Sequence, residues 1–319
     1  MKLRVLVFLV AVTAPLPIAF AWFGEGHMAV AEIAWKHLNA TSRTRVSALL
    51  KLNPDYDTWT AGVSEDAKDQ TAFVAAATWP DAIKGKPCKK GVPKNACYTN
   101  DGDTPPDSPV SGQNIGYADH LQHRYWHFVD TPFSTDGTGG VQPKTPNAET
   151  QILLFEAALA AVDTSDDVKS YDLVWLEHMV GDVHQPLHAT SRFSADLPDG
   201  DRGGNSVLVA PACAKTCPKE LHAVWDNALG GSDKPGDAIA VADELPGAPA
   251  DAAAITDVHA WIAESFAAAK QFAYASPIGP GTGPFTLDAH YNRAVRKEAR
   301  TRVELAGAHL ANLINSSLQ

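Results

Sequence analysis

Two histidine–aspartate pairs constrain this chain more than any other feature. His178 and Asp182 stand four residues apart, and so do His222 and Asp226. On a helix that spacing puts both side chains on one face, a turn apart. His188 follows Asp182 by six residues, just beyond Pro186, which ends or bends a helix. One such pair alone is as well read as a surface hydrogen bond. Two pairs with a third histidine beside them ask for more. They require a fold that brings imidazole and carboxylate together at short range, the donor set that suits zinc.

The surrounding pattern is helical. Apolar spacing predicts helices over 26–38, 42–52, 64–79, 148–162, 168–183, 221–229, 256–272 and 287–318. Thr145-Pro146 reads as the start of the fourth, with proline at the first helical position. Gly, Pro, Lys, Asp and Ser dominate 85–114, and Gly and Pro recur over 131–144, so both stretches read as loops. Residues 191–205 read as loop, 206–210 as a short strand and 238–254 as a surface connector. No internal repeat or domain linker interrupts the chain. The expected architecture is a mostly α-helical single domain with long loops.

The first residues have the form of an export signal. Lys2 and Arg4 precede an apolar run over 5–20, and Ala19-Phe20-Ala21 has the small-x-small pattern of a cleavage site. Pro15 and Pro17 interrupt the run, which is too short to span a bilayer well. Residues 1–21 are therefore expected to be a signal peptide and 22–319 the mature domain, secreted or periplasmic and without stable membrane association. Four cysteines in an exported chain favour disulfides. Of the three connectivities, the local pairs Cys88–Cys97 and Cys213–Cys217 are favoured, and zinc binding by the four is the rival reading. The formal charge is −11, or −13 without Lys2 and Arg4. So acidic a chain is poorly suited to coating duplex DNA through a basic surface. A polyanionic substrate would need positive charge supplied locally, as a metal cluster could do.

Several separated motifs share one order with a known family. They are Trp22-Phe23-Gly24-Glu25-Gly26-His27, Trp79-Pro80-Asp81, Trp126-His127-Phe128-Val129-Asp130, the stretch from His178 through Gly181-Asp182 to His188, Asp201-Arg202-Gly203-Gly204-Asn205, and Leu221-His222-Ala223-Val224-Trp225-Asp226. With these the chain resembles the single-strand-specific zinc nucleases of fungi and plants, which share a superfamily with zinc phospholipase C. The resemblance runs from Trp22 to about Asn315.

The resemblance implies three zinc ions. One would be held by Asp81, His127 and His178, with Asp182 bridging to a second. The second would take His27 together with the amine and carbonyl of Trp22, and the third His188, His222 and Asp226. Five of twelve histidines are then ligands, and His37, His120, His123, His184, His259, His290 and His309 are left as structural or surface groups, His184 in an outer role at most. Six positive charges against three aspartates would leave a net positive pocket inside an acidic protein.

The implied activity is hydrolysis of single-stranded DNA and RNA to 5′-phosphate products, with 3′-nucleotides as further substrates. In the family frame Asp182 belongs to the catalytic pair, Asp130 orients the attacking water, and Lys84 contacts the phosphate. Phe128 and Asn227 match parts of a nucleobase site, although Phe128 reads equally well as core. Asp201 to Asn205 reads as a tight turn that shapes the site without chemistry of its own. A monomer is the default expectation. Three rivals remain open at this level. A zinc phospholipase C would typically carry Glu where this chain has Asp226. A non-enzymatic metal-binding protein would not need Lys84 or Asp130. An uncut signal would leave Trp22 without a free amine.

Overall fold

The protein is described here by a computed structural model covering residues 22–93, 96–210 and 217–319. The expected signal peptide lies outside the described residues, as does Cys213 of the expected second disulfide. Cys88 and Cys97 are joined, with an S–S distance of 1.99 Å, inside the loop expected over 85–114.

The fold is mostly helical. In chain order the helices are α1 (Gly24–His37), α2 (Ala40–Leu50), α3 (Tyr56–Trp59), α4 (Lys68–Ala76), α5 (Trp79–Ala82), α6 (Ala148–Ala160), α7 (Asp166–His184), α8 (Leu221–Asp226), α9 (Pro235–Asp243), α10 (Ala250–Ala253), α11 (Val258–Ala268) and α12 (Ala289–Ser317). Helix α7 is the axis. Ser165 caps its start by accepting from the amide of Val168, and Asp166 and Asp167 suit the positive end of the helix. Every residue from Lys169 to His184 is buried. Helices α1, α2, α6, α11 and α12 surround it. A helix buried on all sides is expected to be apolar all round. This one also carries Asp172, Glu177, His178, Asp182 and His184, so the interior must supply partners for them.

Aromatic side chains fill the space behind the histidines. Trp79, Trp126, Trp175, Tyr171 and Phe155 are fully buried and meet edge to face, with Trp126 and Trp175 centroids 5.0 Å apart. Each such side chain contributes about 1.5–3 kcal/mol through burial. The long terminal helix α12 crosses α1 at Gly307, where a Cβ would lie 2.5 Å from the Ile33 side chain. Glycine is thus what allows the two backbones to approach.

Five expectations need correction. Residues 64–79 do not form one helix, because the chain turns between α4 and α5. Helix α6 begins not at Pro146 but after Asn147, whose side chain forms a reciprocal capping box with Thr150. The stretches expected to be purely loop each hold a short strand, β1 (Pro132–Ser134) and β2 (Ser191–Phe193), which pair in parallel. The expected strand over 206–210 makes only isolated bridges, Leu208 with Glu220 and Val209 with Phe285. The stretch read as a surface connector holds most of α9, which buries Ala238 and Ala242 and packs on α1. Its alanine-rich composition suits a helix lying against another helix as well as it suits a linker.

Candidate metal centre

Helix α7 delivers His178 and Asp182 from adjacent turns of one face, as their spacing requires. The 3-10 turn Arg124–His127 delivers His127, and α5 delivers Asp81. The Nδ1 of His127 and the Nε2 of His178 lie 2.9 Å apart. Asp182 Oδ2 is 3.0 Å from the first and 3.2 Å from the second. Asp81 Oδ1 stands 3.7 Å from His178 Nε2. The other oxygen of Asp182, Oδ1, faces the opposite way, 3.4 Å from His27 Nε2 on α1. Each oxygen of one carboxylate therefore serves a different group of donors. The His27 ring stacks on that of His178 at 3.8 Å, and Gly181 makes room for it, since a Cβ there would sit 2.8 Å from His27 Nδ1.

A further group lies beyond the end of α7. The turn Pro186–Ala189 carries His188, and α8 carries His222 and Asp226. His188 Nε2 and His222 Nε2 are 3.1 Å apart, and Asp226 Oδ2 is 3.5 Å from the latter. In each of the three sets (His27, His178 and Asp182; Asp81, His127 and His178; His188, His222 and Asp226) the donor atoms lie within 4.8 Å of one another.

The far nitrogens explain why the near ones are available. His178 Nδ1 donates to the carbonyl of Ala77 at 2.7 Å, His188 Nδ1 to that of His127 at 2.6 Å, and His222 Nδ1 to that of Gly203 at 2.7 Å. In the neutral imidazole these bonds fix the tautomer and place the lone pair on Nε2. The Nε2 atoms of His188 and His222 then face each other at 3.1 Å, an arrangement that suits a cation between them. Both nitrogens of His27 and Oδ1 of Asp182 are buried without a hydrogen bond. Leaving buried polar atoms so costs free energy unless something else engages them. The donor set of imidazole and carboxylate suits zinc.

Burial also sets the protonation states. It holds the imidazoles of His27, His127 and His188 well below the usual range, which keeps them neutral as ligands must be. Burial pulls His178 down too, but the charges of Asp182 and Asp81 more than offset it. The same burial pushes the Asp182 carboxyl up to about 6 and that of Asp226 well above its normal range. A divalent cation favours the ionised form of both.

A family model described as S1/P1 nuclease matches residues 22–319. The chain belongs to that family. Among curated relatives from Arabidopsis thaliana, Endonuclease 5 is 36% identical over 219 residues, which cover 66% of this chain and 57% of that protein. Endonuclease 4 is 25% identical over 226 residues, covering 66% of this chain and 56% of its own length. Endonuclease 2 is 28% identical over 129 residues, or 35% of this chain and 40% of that protein. The matched stretch thus spans less than two thirds of each of these relatives. The S1/P1 family is zinc-dependent, in accord with three donor sets built from histidine and aspartate.

Within this S1/P1 fold two clefts reach the metal groups from different sides. One, of about 390 Å³, is lined by Lys84, His127, Phe128, Asp130, His188 and His222 among others. The other, of about 1040 Å³, is lined by Phe23, His27, Asp81, Asn227 and neighbours. The two residues matched to a nucleobase site, Phe128 and Asn227, therefore line different clefts. Lys84 is buried, and its Nζ lies 2.7 Å from Asp81 Oδ1. Burial and repulsion from Asp201 push the Asp130 carboxyl up to about 7.

Trp22 is fully buried, and its Nε1 donates to the carbonyl of Gly181 at 3.1 Å. The next amide, Phe23 N, donates to the carbonyl of Asp226 at 3.1 Å. These two bonds tie the 22–23 segment to Gly181 on α7 and to Asp226 on α8. Gly26 lets the indole fold back, since a Cβ there would lie 2.6 Å from Trp22 Cβ.

Sequence reasoning missed the support around the ligands. Gln185 closes α7, takes the amide of Leu187 at 2.6 Å and donates to Asp226 Oδ1 at 2.7 Å. Its place between Asp182 and Pro186 was the available signal. His123, set aside as structural or surface, is buried between Asp119 at 2.9 Å and Asp101 at 3.4 Å and stacks on Trp126 at 3.5 Å. Burial pulls its pKa down, but the two carboxylates more than offset this and leave it raised. His184 faces away from the metal groups and pairs with His309 at 2.8 Å. The Asp201–Asn205 turn shapes the site as expected, through the Gly203 carbonyl.

Proposed function

We propose that the chain is a zinc-dependent nuclease that hydrolyses phosphodiester bonds of single-stranded DNA and RNA, gives 5′-phosphate products, and also acts on 3′-nucleotides. The carrying observation is the pair of facing Nε2 atoms of His188 and His222 beside Asp182, a carboxylate whose two oxygens face two further donor groups. Zinc held there supplies Lewis-acid polarisation of phosphoryl oxygens and lowers the pKa of water.

The residues have separable tasks. Asp81, His127 and His178 would hold one ion, His27, Asp182 and the Trp22 main chain a second, and His188, His222 and Asp226 a third. Lys84, kept in place by Asp81, presents its ammonium to a non-bridging phosphate oxygen. Asp130, poised near neutrality, orients the attacking water through a hydrogen bond. A cleft of about 390 Å³ beside these groups is of a size to receive a single nucleotide unit, which is in keeping with a single-strand substrate. A splayed base can stack on Phe128 there, and Asn227 offers polar contacts in the other cleft.

The location is part of this reading. Removal of residues 1–21 on export frees the Trp22 amine beside the Asp182 group. The Cys88–Cys97 disulfide suits an oxidising compartment. Among the described residues no helix is long and apolar enough to cross a membrane.

The test is hydrolysis of single-stranded DNA and RNA by the chain starting at Trp22, with and without a chelator, beside phosphatidylcholine. Chelator-sensitive release of 5′-phosphorylated nucleotides without lipid cleavage is expected. Lipid cleavage without nucleotide release would overturn the reading in favour of a phospholipase.

A further inference from the structure

The geometry points to a second phosphate subsite at the cleft rim, built from Arg124 and Arg202 braced by Asp103, which takes the backbone phosphate next to the one cleaved. This deepens the nuclease reading and rests on it.

Both arginines line the cleft that holds His127, His188 and His222. Each is tied to a ligand by a short stiff piece of chain. Arg124 opens the turn Arg124–His127 that ends in His127. Arg202 precedes Gly203, whose carbonyl fixes His222. The backbone that roots each arginine is thus fixed relative to the candidate ligands.

One carboxylate holds the two together. Asp103 Oδ2 accepts from Arg202 Nη2 at 2.7 Å, and Asp103 Oδ1 lies 3.6 Å from Arg124 Nη1. Arg124 Nε donates to Gln122. Arg202 meets Asp103 through a single nitrogen, which leaves most of its planar fork for an oxyanion. A bidentate guanidinium matches a phosphodiester in a way that one ammonium cannot.

The backbone at Arg202 adds a second observation. Three successive residues take positive φ: Arg202 at 56°, Gly203 at 61° and Gly204 at 81°. Glycine accepts this conformation freely, and arginine does not. A side chain at the first position is kept against local preference, as happens where a functional group must be aimed.

The groove also continues outward. A further hollow of about 220 Å³ shares Asp103, Phe128, Asp130 and Arg202 with the metal cleft and adds Lys144. Exposure rises along this path: Lys84 is 4% exposed, Arg124 17% and Arg202 46%. Lys84 serves the phosphate at the metals, and the arginines meet the next one along the strand. Asp103 and Asp199 also line the cleft, so its rim selects phosphate through directed N–H donors and not through bulk positive charge.

The test compares Arg202→Ala, Arg124→Lys and Asp103→Asn with the wild type, on a single-stranded oligonucleotide and on a 3′-mononucleotide, with zinc content measured in each. The readout is the ratio of kcat/KM on the two substrates. Arg202→Ala is expected to lower that ratio by about 10–100-fold, mainly through KM, as loss of a charge-assisted bidentate contact does. The slope of log kcat/KM against log salt should flatten by about 0.7, one phosphate contact on a single strand. Asp103→Asn should lower the ratio less, and Arg124→Lys should lower it while keeping zinc. An unchanged ratio in Arg202→Ala with full zinc would overturn the subsite. Should the wild type cleave neither substrate, the nuclease reading falls. The subsite is then judged by oligonucleotide binding: weakening in Arg202→Ala supports it, and unchanged binding overturns it.

Discussion

The Asp182 group and the His188 group use the same donor types on different mechanical foundations. The first gathers His27, Asp81, His127, His178 and Asp182 from α1, α5, the 3-10 turn and α7, with Trp175 5.4 Å from the His127 ring behind it. Its geometry is a product of the whole core. The second takes His188 from the turn after α7 and His222 and Asp226 from α8, and its support is the carbonyls of His127 and Gly203 and the amide of Gln185. Its geometry depends on local turns. Only the first has a carboxylate whose two oxygens face different histidines. Equal chemistry therefore does not mean equal robustness.

The largest effect is expected at that shared carboxylate. Asp182→Asn should release two equivalents of zinc and slow single-strand hydrolysis by on the order of 10³-fold or more. Metal analysis after dialysis checks it, and loss of a single equivalent would contradict the shared role. Next comes His222→Ala, expected to release one equivalent and to cost about 10²–10³-fold in kcat. Stepwise chelation of the wild-type protein should remove that same equivalent first, and a simultaneous loss of all zinc would erase the contrast between the groups.

Two glycine substitutions probe the foundations separately. Gly203→Ala places a Cβ 2.2 Å from the Leu187 carbonyl at φ 61°, and should weaken only the His188 group. Gly181→Ala crowds His27 at 2.8 Å and should weaken only the Asp182 group. Each is expected to cost about 10–100-fold in affinity at one group, the scale of outer-shell support. Zinc titration with a competing chromophoric chelator separates them.

The smallest effect is expected where α7 carries a buried acid without a metal role. Burial pushes the Asp172 carboxyl up to about 8, while Asn114 donates to it and Lys169 pulls the other way. The unfolded chain releases that proton near its usual pKa of about 3.9. The folded state therefore holds the extra proton, and stability falls as pH rises from about 4 towards 8. Asp172→Asn should raise Tm more at pH 8 than at pH 5 and leave zinc content unchanged. Thermal melts at both pH values decide it.

The sequence made some of this legible and not the rest. The i,i+4 spacing of His178 with Asp182, and of His222 with Asp226, was enough to place each pair on one helical face. Pro186 marked the end of α7. The remaining candidate ligands, Asp81, His127 and His27, were reached by family resemblance alone, because spacing cannot say that α1, α5 and a 3-10 turn converge. The carbonyls of Ala77, His127 and Gly203 were invisible, since any residue type offers one. The α9 segment was misjudged because alanine and proline fit a linker and a packed helix alike. Arg202 and Asp103 lay in stretches read as loop, and their pairing depends on a fold-level approach of residues 99 positions apart.

Gln185 has one more consequence. It joins the last turn of α7 to Asp226, while Asp182 and His188 sit on either side of it. The seven residues from 182 to 188 thus act as a fixed ruler between the two metal groups. Exposed loops away from these residues can change length without moving a candidate ligand. A single residue inserted within the ruler would rotate one group away from the other, so length variation in this lineage should be excluded there and tolerated in the loops.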